Sequence, residues 1–106
     1  MKRWRIHEDA LREVDTTVAW YEEQREGIGR EFLDDVRTTL AKLRSDPAIS
    51  TPDRNAPPDA RVRRRGLRRF PYLIVFVETA TDYVVVAIMH RRRRPGYWAS
   101  RITRST

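Results

Sequence analysis

The chain has 106 residues, with 22 Lys plus Arg against 15 Asp plus Glu and a formal net charge of +7. That length supports one domain, residues 1–106, with one modest core, and the positive balance suits nucleic acid, an acidic protein or an anionic membrane surface. Zero cysteines exclude disulfides, thiolate metal sites and cysteine nucleophiles, and fit a reducing compartment.

Lys2 and Lys42 are the only lysines, so nearly all the positive charge is carried by arginine, whose planar fork grips phosphate or carboxylate bidentately. Lys2, Arg3 and Arg5 have no apolar stretch behind them, which argues against a signal peptide. The most apolar stretch, Tyr72 to Met89, is interrupted by Glu78 and Asp82 and reads as two strands, not a membrane span. The expectation is a cytoplasmic protein with no membrane partner.

"WRIH", residues 4 to 7, is too short for a helix and places Trp4 and Ile6 on one face, so it predicts a short edge strand. From Glu8 the period becomes helical, with Leu11, Val14, Val18 and Tyr21 as the apolar stripe and Gly27 as the C-cap. A second stripe follows at once, Ile28, Phe32, Val36, Leu40 and Leu43, with Pro47 beyond its end. Two helices joined by so short a connection form an antiparallel hairpin with one apolar face directed at a sheet.

Residues 47 to 60 hold four of the six prolines and no apolar period, and read as a flexible surface loop. Three strands are then expected at about 61 to 68, 72 to 78 and 83 to 91. The last two are near-continuous apolar runs joined by a turn at Thr79 to Asp82, and form the centre of the sheet. In the first, Arg61, Arg63 and Arg65 share one face, so a row of arginines should project from the side opposite the helices, with a kink near Gly66. The predicted class is α+β: a short N-terminal strand and a helical hairpin packed on one face of a three- to four-stranded, mainly antiparallel sheet. A basic segment, residues 90 to 106, ends the chain.

No Gly-rich phosphate loop, GxSxG elbow or HExxH spacing is present, and His7 and His90 are the only histidines, so no metal or other cofactor is expected. What remains is basic and aromatic. Arg63, Arg65, Arg68 and Arg69 come from one strand pair; His90, Arg91, Arg92, Arg93, Arg94, Tyr97, Trp98 and Arg101 come from the end. If the last strand continues through Arg91, His90 and Arg92 share one face and Arg91 and Arg93 the other. Each feature also has a plainer reading: an arginine run as a solvated strand end that discourages aggregation, Tyr97 and Trp98 as core-edge packing, and His90 as a hydrogen-bonded rim residue. Cleaving RNA would need a proton acceptor and a proton donor besides an anion stabiliser, and arginine serves only the last role. Binding is therefore better supplied than catalysis.

The element order, the hairpin "AWYEEQREGIGREFLDDVRTTLAKLRSDP", the strand pair "VRRRGLRRFPYLIVFVE" and the closing "VVVAIMHRRRRPGYWASR" together resemble the ParE/RelE toxins of bacterial type II toxin–antitoxin modules. The likeness runs from about residue 4 to residue 101. It implies a toxin held in a hetero-oligomer by a cognate antitoxin, and an acidic, disordered antitoxin segment would suit the charge of this chain. Two branches follow from the resemblance. RelE-like members cut mRNA on the ribosome, and Arg65, Arg69, His90 and Tyr97 would be the matching residues here, although the lysines of that site are missing after Lys42. ParE-like members poison DNA gyrase without a nuclease site, and "RRFPYLIVFVE" and "MHRRRRPGYW" look closer to them. On that reading Arg63, Arg65, Arg69, His90, Arg91, Arg92, Arg93, Tyr97, Trp98 and Arg101 form the target- or antitoxin-binding set. A basic nucleic-acid-binding module without toxicity is the third reading.

Overall fold

The computed structural model describes residues 2–57 and 59–105, the last three of these as backbone only. In chain order the elements are β1 (Arg3–Ile6), α1 (Glu8–Gln24), α2 (Ile28–Ser45), a 3-10 turn (Pro47–Ile49), β2 (Thr51–Pro52), β3 (Val62–Gly66), β4 (Tyr72–Glu78), β5 (Asp82–His90) and α3 (Ala99–Ser105). They build one five-stranded sheet in the order β1-β5-β4-β3-β2, in which β1 runs parallel to β5 and the other pairs are antiparallel. The α+β class is as expected. The sheet is larger than the residues foretold because β2 is two residues long and carries no periodic signal, and it is mixed because β1 joins β5 in parallel.

His7 starts α1 by accepting the Asp9 N–H on its Nδ1 at 3.0 Å. Counted from that cap, the face turned to the sheet carries Ala10 and Val14, both buried, with Val18 and Tyr21 packed beside them. Leu11, expected in this stripe, lies off its flank and is 49% exposed. From α2, Phe32, Val36 and Leu43 are buried against Ile74, Phe76, Val85 and Ile88 of the central strands. Tyr21, Phe70 and Tyr72 surround the Phe32 ring at 5.1 to 5.5 Å between centroids, in tilted and edge-to-face arrangements that aromatic pairs favour.

Gly27 marks the helix boundary, but as the N-cap of α2 at φ 89° instead of as the C-cap of α1, which is the extended Arg25. No N-cap side chain serves α2. Glu22 supplies the missing acceptor: its carboxylate takes the N–H groups of Gly27 at 3.2 Å and Gly29 at 2.8 Å, and these bonds hold its pKa below the ordinary range. A Cβ on Gly29 would lie 2.6 Å from the Val18 carbonyl oxygen, so the close crossing of the hairpin depends on glycine there.

The opposite face of the sheet is apolar, which corrects the expectation of an arginine-lined face. The register pairs Arg63 with Phe76 and Arg65 with Ile74, both on the helix side, and pairs Val62 with Val77 and Arg64 with Val75 on the other. The alternation is regular up to Gly66, without the kink that was expected. Arginine is tolerated on the helix side because the chain after α2 brings acceptors to it. Arg63 Nε donates to Ser50 Oγ at 2.7 Å, another Arg63 nitrogen donates to the Ser50 carbonyl at 2.6 Å, and Arg65 donates to the Ile49 carbonyl at 2.9 Å. On the far face Val62, Leu73, Val75, Val77, Val84 and Met89 form a second core with the 1% exposed Trp98, and Ala56, Ala60 and Ile102 pack at its margin. The register shifts at Val75/Phe76, and two consecutive residues of β5, Val86 and Ala87, both join that second core.

Candidate functional site

β5 ends at His90 because the chain turns there. The Arg93 N–H donates to the His90 carbonyl at 3.0 Å and the Arg92 N–H to His90 Nδ1 at 3.0 Å. The alternation expected for an extended strand through Arg91 is therefore replaced by a turn that sends the arginines in different directions. Arg91 returns across the sheet end so closely that a Cβ on Gly66 would stand 2.2 Å from one of its guanidinium nitrogens. Arg93 folds the other way, its guanidinium 3.7 Å from the centre of the Tyr97 ring. Gly96, at φ 79°, reverses the chain so that Tyr97 and Trp98 follow on the sheet.

Arg93, Tyr97 and Arg101 meet at a residue that the sequence did not single out, Glu13 of α1. One carboxylate oxygen of Glu13 accepts the Ile88 backbone N–H at 3.0 Å and an Arg101 nitrogen at 3.0 Å. The other accepts the Tyr97 hydroxyl and lies 3.4 Å from Arg93. Arg101 also donates to the Val86 carbonyl at 2.9 Å and approaches Asp9 at 3.7 Å. β1 pairs only as far as Val85, so Val86 and Ile88 lie on a part of β5 where the edge has lost its neighbour. Glu13 and Arg101 supply the acceptor and donor that a continuing strand would have provided.

The cluster decides what its members can do. Burial, then the bond to the Glu13 carboxylate, pushes the Tyr97 phenol well above its ordinary pKa, so it stays a hydrogen-bond donor and is unsuited to accept a proton. His90 has its Nδ1 engaged by the turn, with its ring edge-on to Tyr72 at 5.2 Å between centroids. A cleft of about 390 Å³ opens beside the cluster, between Arg12, Thr16 and Thr17 of α1 and Tyr72 and His90 of the sheet.

The remaining sequence-predicted residues are not gathered here. Arg63 and Arg65 are bound to the chain at Ser50 and Ile49. Arg69 pairs with Glu31 at 2.9 Å, while its N–H and that of Arg68 donate to the buried Asp35 carboxylate at 2.8 and 3.3 Å. Trp98 lies in the second core. Arg91, Arg92 and Arg94 are exposed and have no carboxylate partner among the described residues. Glu13 escaped notice because a glutamate among the alternating charges of α1 looks like any solvated helix residue; its position on the flank of the Ala10–Val14 stripe was the one available signal.

No helix among the described residues is long and apolar enough to cross a membrane. No curated protein and no solved structure matches the chain. A family model does: the one described as ParE toxin of type II toxin-antitoxin system, parDE, matches residues 4–95, from β1 through the helical hairpin and the central strands to the arginine turn. With the α+β fold and the turn inside that match, the chain belongs to the ParE toxin family and is a toxin of the type II toxin–antitoxin kind.

Proposed function

We propose that this toxin acts by binding and not by hydrolysis, as a ParE-type inhibitor of DNA gyrase that a cognate acidic antitoxin neutralises. The observation that carries the reading is the contrast at the end of β5. Arg91, Arg92 and Arg94 are exposed without a carboxylate partner among the described residues, while the nearby phenol of Tyr97 is committed to Glu13. Such a surface offers anion contacts and little proton transfer. The RelE-like alternative needs Arg65 and Arg69 beside His90 and Tyr97, and both arginines are occupied by intramolecular partners, Ile49 and Glu31. An acidic antitoxin segment that orders on binding, giving a hetero-oligomer, suits a chain of net charge +7.

The test is a supercoiling assay with purified gyrase, ATP and the full chain, scored for inhibition and for trapped cleaved DNA. Trapped cleavage that an added antitoxin relieves, and that weakens when Arg91, Arg92 and Arg94 are replaced together by alanine, is the expected result. No effect at high protein excess, with codon-linked mRNA fragments on ribosomes instead, would replace this reading with the nuclease one.

A further inference from the structure

Arg64 is the one arginine of β3 that the register turns away from the helices, opposite Val75, and Gly66 follows it on the same face, opposite Leu73. Gly66 leaves a space that Arg91 fills: a Cβ there would stand 2.2 Å from a guanidinium nitrogen of Arg91 and 3.7 Å from the Leu73 side chain. The Arg91 guanidinium and the Arg64 side chain therefore share one face, at positions about 7 Å apart along β3. A further segment joins them, because a Cβ on Gly96 would lie 3.9 Å from the Asn55 carbonyl oxygen, so the turn carrying Arg54 meets the turn carrying Arg94. Ala56 and Trp98, the neighbours of that meeting point, pack into the core of this same face. Arg54, Arg64, Arg91 and Arg94 thus border one side of the sheet, and none of their side chains has an ion pair or hydrogen bond among the described residues. The carboxylate of the Arg54 turn, Asp53, is engaged by the Asn55 N–H at 2.8 Å, while Asp9 and Glu13 belong to α1, across the sheet.

We infer that this arginine rim binds the phosphodiester backbone of double-stranded DNA without reading its sequence. The inference rests on the gyrase reading for where such DNA is met, and adds to it the anion that Arg91 and Arg94 take. A planar guanidinium with no competing carboxylate grips phosphate bidentately. An acidic protein fits less well, because protein interfaces draw most of their energy from apolar and aromatic anchors, and this face presents none. Leu73, Met89 and Trp98 are 5%, 5% and 1% exposed, and the exposed large apolar side chains, Leu11 and Trp20, are both on α1. Single strands fit less well for a related reason. They are held by bases stacked on open aromatic rings, whereas Trp98 is buried and Tyr97 is covered by Arg93 and bonded to Glu13. Contact to the duplex backbone remains, driven by charge and indifferent to sequence.

The experiment titrates the full chain into a short fluorescein-labelled duplex, followed by anisotropy over a series of salt concentrations. Phosphate contacts from Arg54, Arg64, Arg91 and Arg94 predict a log–log dependence of affinity on salt with a slope of about −3.6. Arg64→Ala combined with Arg91→Ala should weaken binding about tenfold and bring the slope to about −1.8. Arg37→Ala combined with Arg44→Ala removes the same two charges from the exposed side of α2 and should change affinity by no more than about twofold at physiological salt. Arg64→Lys combined with Arg91→Lys keeps the charge and should restore the slope, which separates lost contacts from a folding defect. Equal weakening by the two alanine pairs would assign the binding to net charge and overturn the inference. Tighter binding to a Glu-rich peptide, or to a single strand of equal charge, would overturn it as well. Failure to bind duplex by a chain that still traps cleaved DNA on gyrase overturns the inference and leaves the gyrase reading standing, whereas rim-dependent binding by a chain inert towards gyrase upholds the rim and refutes the gyrase reading alone.

Discussion

Replacing Glu13 with alanine should destabilise the chain by an amount normally seen for a core residue, although Glu13 lies on the flank of α1. The substitution removes the acceptor of the Ile88 N–H, leaving a main-chain donor unpaired beside β5 at a cost of about 1–3 kcal/mol. The Tyr97 hydroxyl loses its partner too, worth about 1 kcal/mol. Arg101, whose side chain is 13% exposed, loses its shortest ion pair but keeps the Val86 carbonyl at 2.9 Å and Asp9 at 3.7 Å, so its loss falls short of an abandoned buried charge. Arg93 is 52% exposed and adds little. Together these give about 2–4 kcal/mol, because Arg101 keeps two partners. Against a typical total of about 5–15 kcal/mol, the midpoint of urea unfolding followed by circular dichroism should fall visibly, with a melting temperature lower by roughly 10 °C or more. Glu13→Gln keeps an acceptor for the Ile88 N–H and should lose less. A double-mutant cycle with Tyr97→Phe should show coupling of about 1 kcal/mol or more, because each change removes the same hydroxyl contact. A Glu13→Ala loss below about 1 kcal/mol, additive with Tyr97→Phe, would refute the claim that Glu13 closes the open edge of β5.

Three further changes probe other parts of the fold. The folded-state pKa of Tyr97 is raised above the unfolded value near 10, so its contribution is full below that pH and is lost as pH rises past it. Urea unfolding at pH 8 and at pH 11 should therefore show a steeper alkaline loss for the unaltered chain than for Tyr97→Phe. Glu31 is held below the ordinary carboxylate range by its bond to Arg69 and then by Arg25, so Arg69→Ala should move the Glu31 titration upward in an NMR pH series; an unmoved titration would place the main influence on Arg25. Gly29→Ala sets a methyl group against the Val18 carbonyl and the Glu22 side chain at 2.6 Å and should destabilise by about 1–3 kcal/mol in the same urea assay.

The parts of the fold that were legible in the sequence are those whose period reports burial. β4 and β5 read as continuous apolar runs because they are buried on both faces, and Phe32, Val36 and Leu43 read as a stripe because α2 faces the sheet along its length. Leu11 misled because hydrophobicity was taken for inwardness, when Ala10, a smaller residue set by the His7 cap, holds the inward position. The faces of β3 could not be assigned from alternation alone. Period two puts Arg63 and Arg65 together, but which side they occupy depends on Ser50 and Ile49, carried there by a turn after α2 with no periodic signal. The same limit hid the cluster at Glu13, since contacts spanning 75 and 84 residues leave no local trace.

Net charge is a poor guide to where an arginine-rich protein meets an anion, and this chain shows why. Its arginines divide into those that hold the chain to itself and those that do not. Arg63 and Arg65 fasten the segment after α2 to β3, Arg69 joins the β3–β4 connection to α2, and Arg101 completes the edge of β5. A guanidinium already bound in this way must first be released before it can grip a ligand, and that release subtracts from affinity. Arg92 and Arg94 carry no such debt among the described residues, and the backbone turn at His90 places both at one end of the sheet. Substituting the first group should therefore change stability before it changes binding, and substituting the second should do the reverse. Arg3, Arg37, Arg44 and Arg54 are exposed elsewhere on the chain, but the arginine turn gathers such groups within one short segment, and that clustering, more than the total of +7, is what a partner can use.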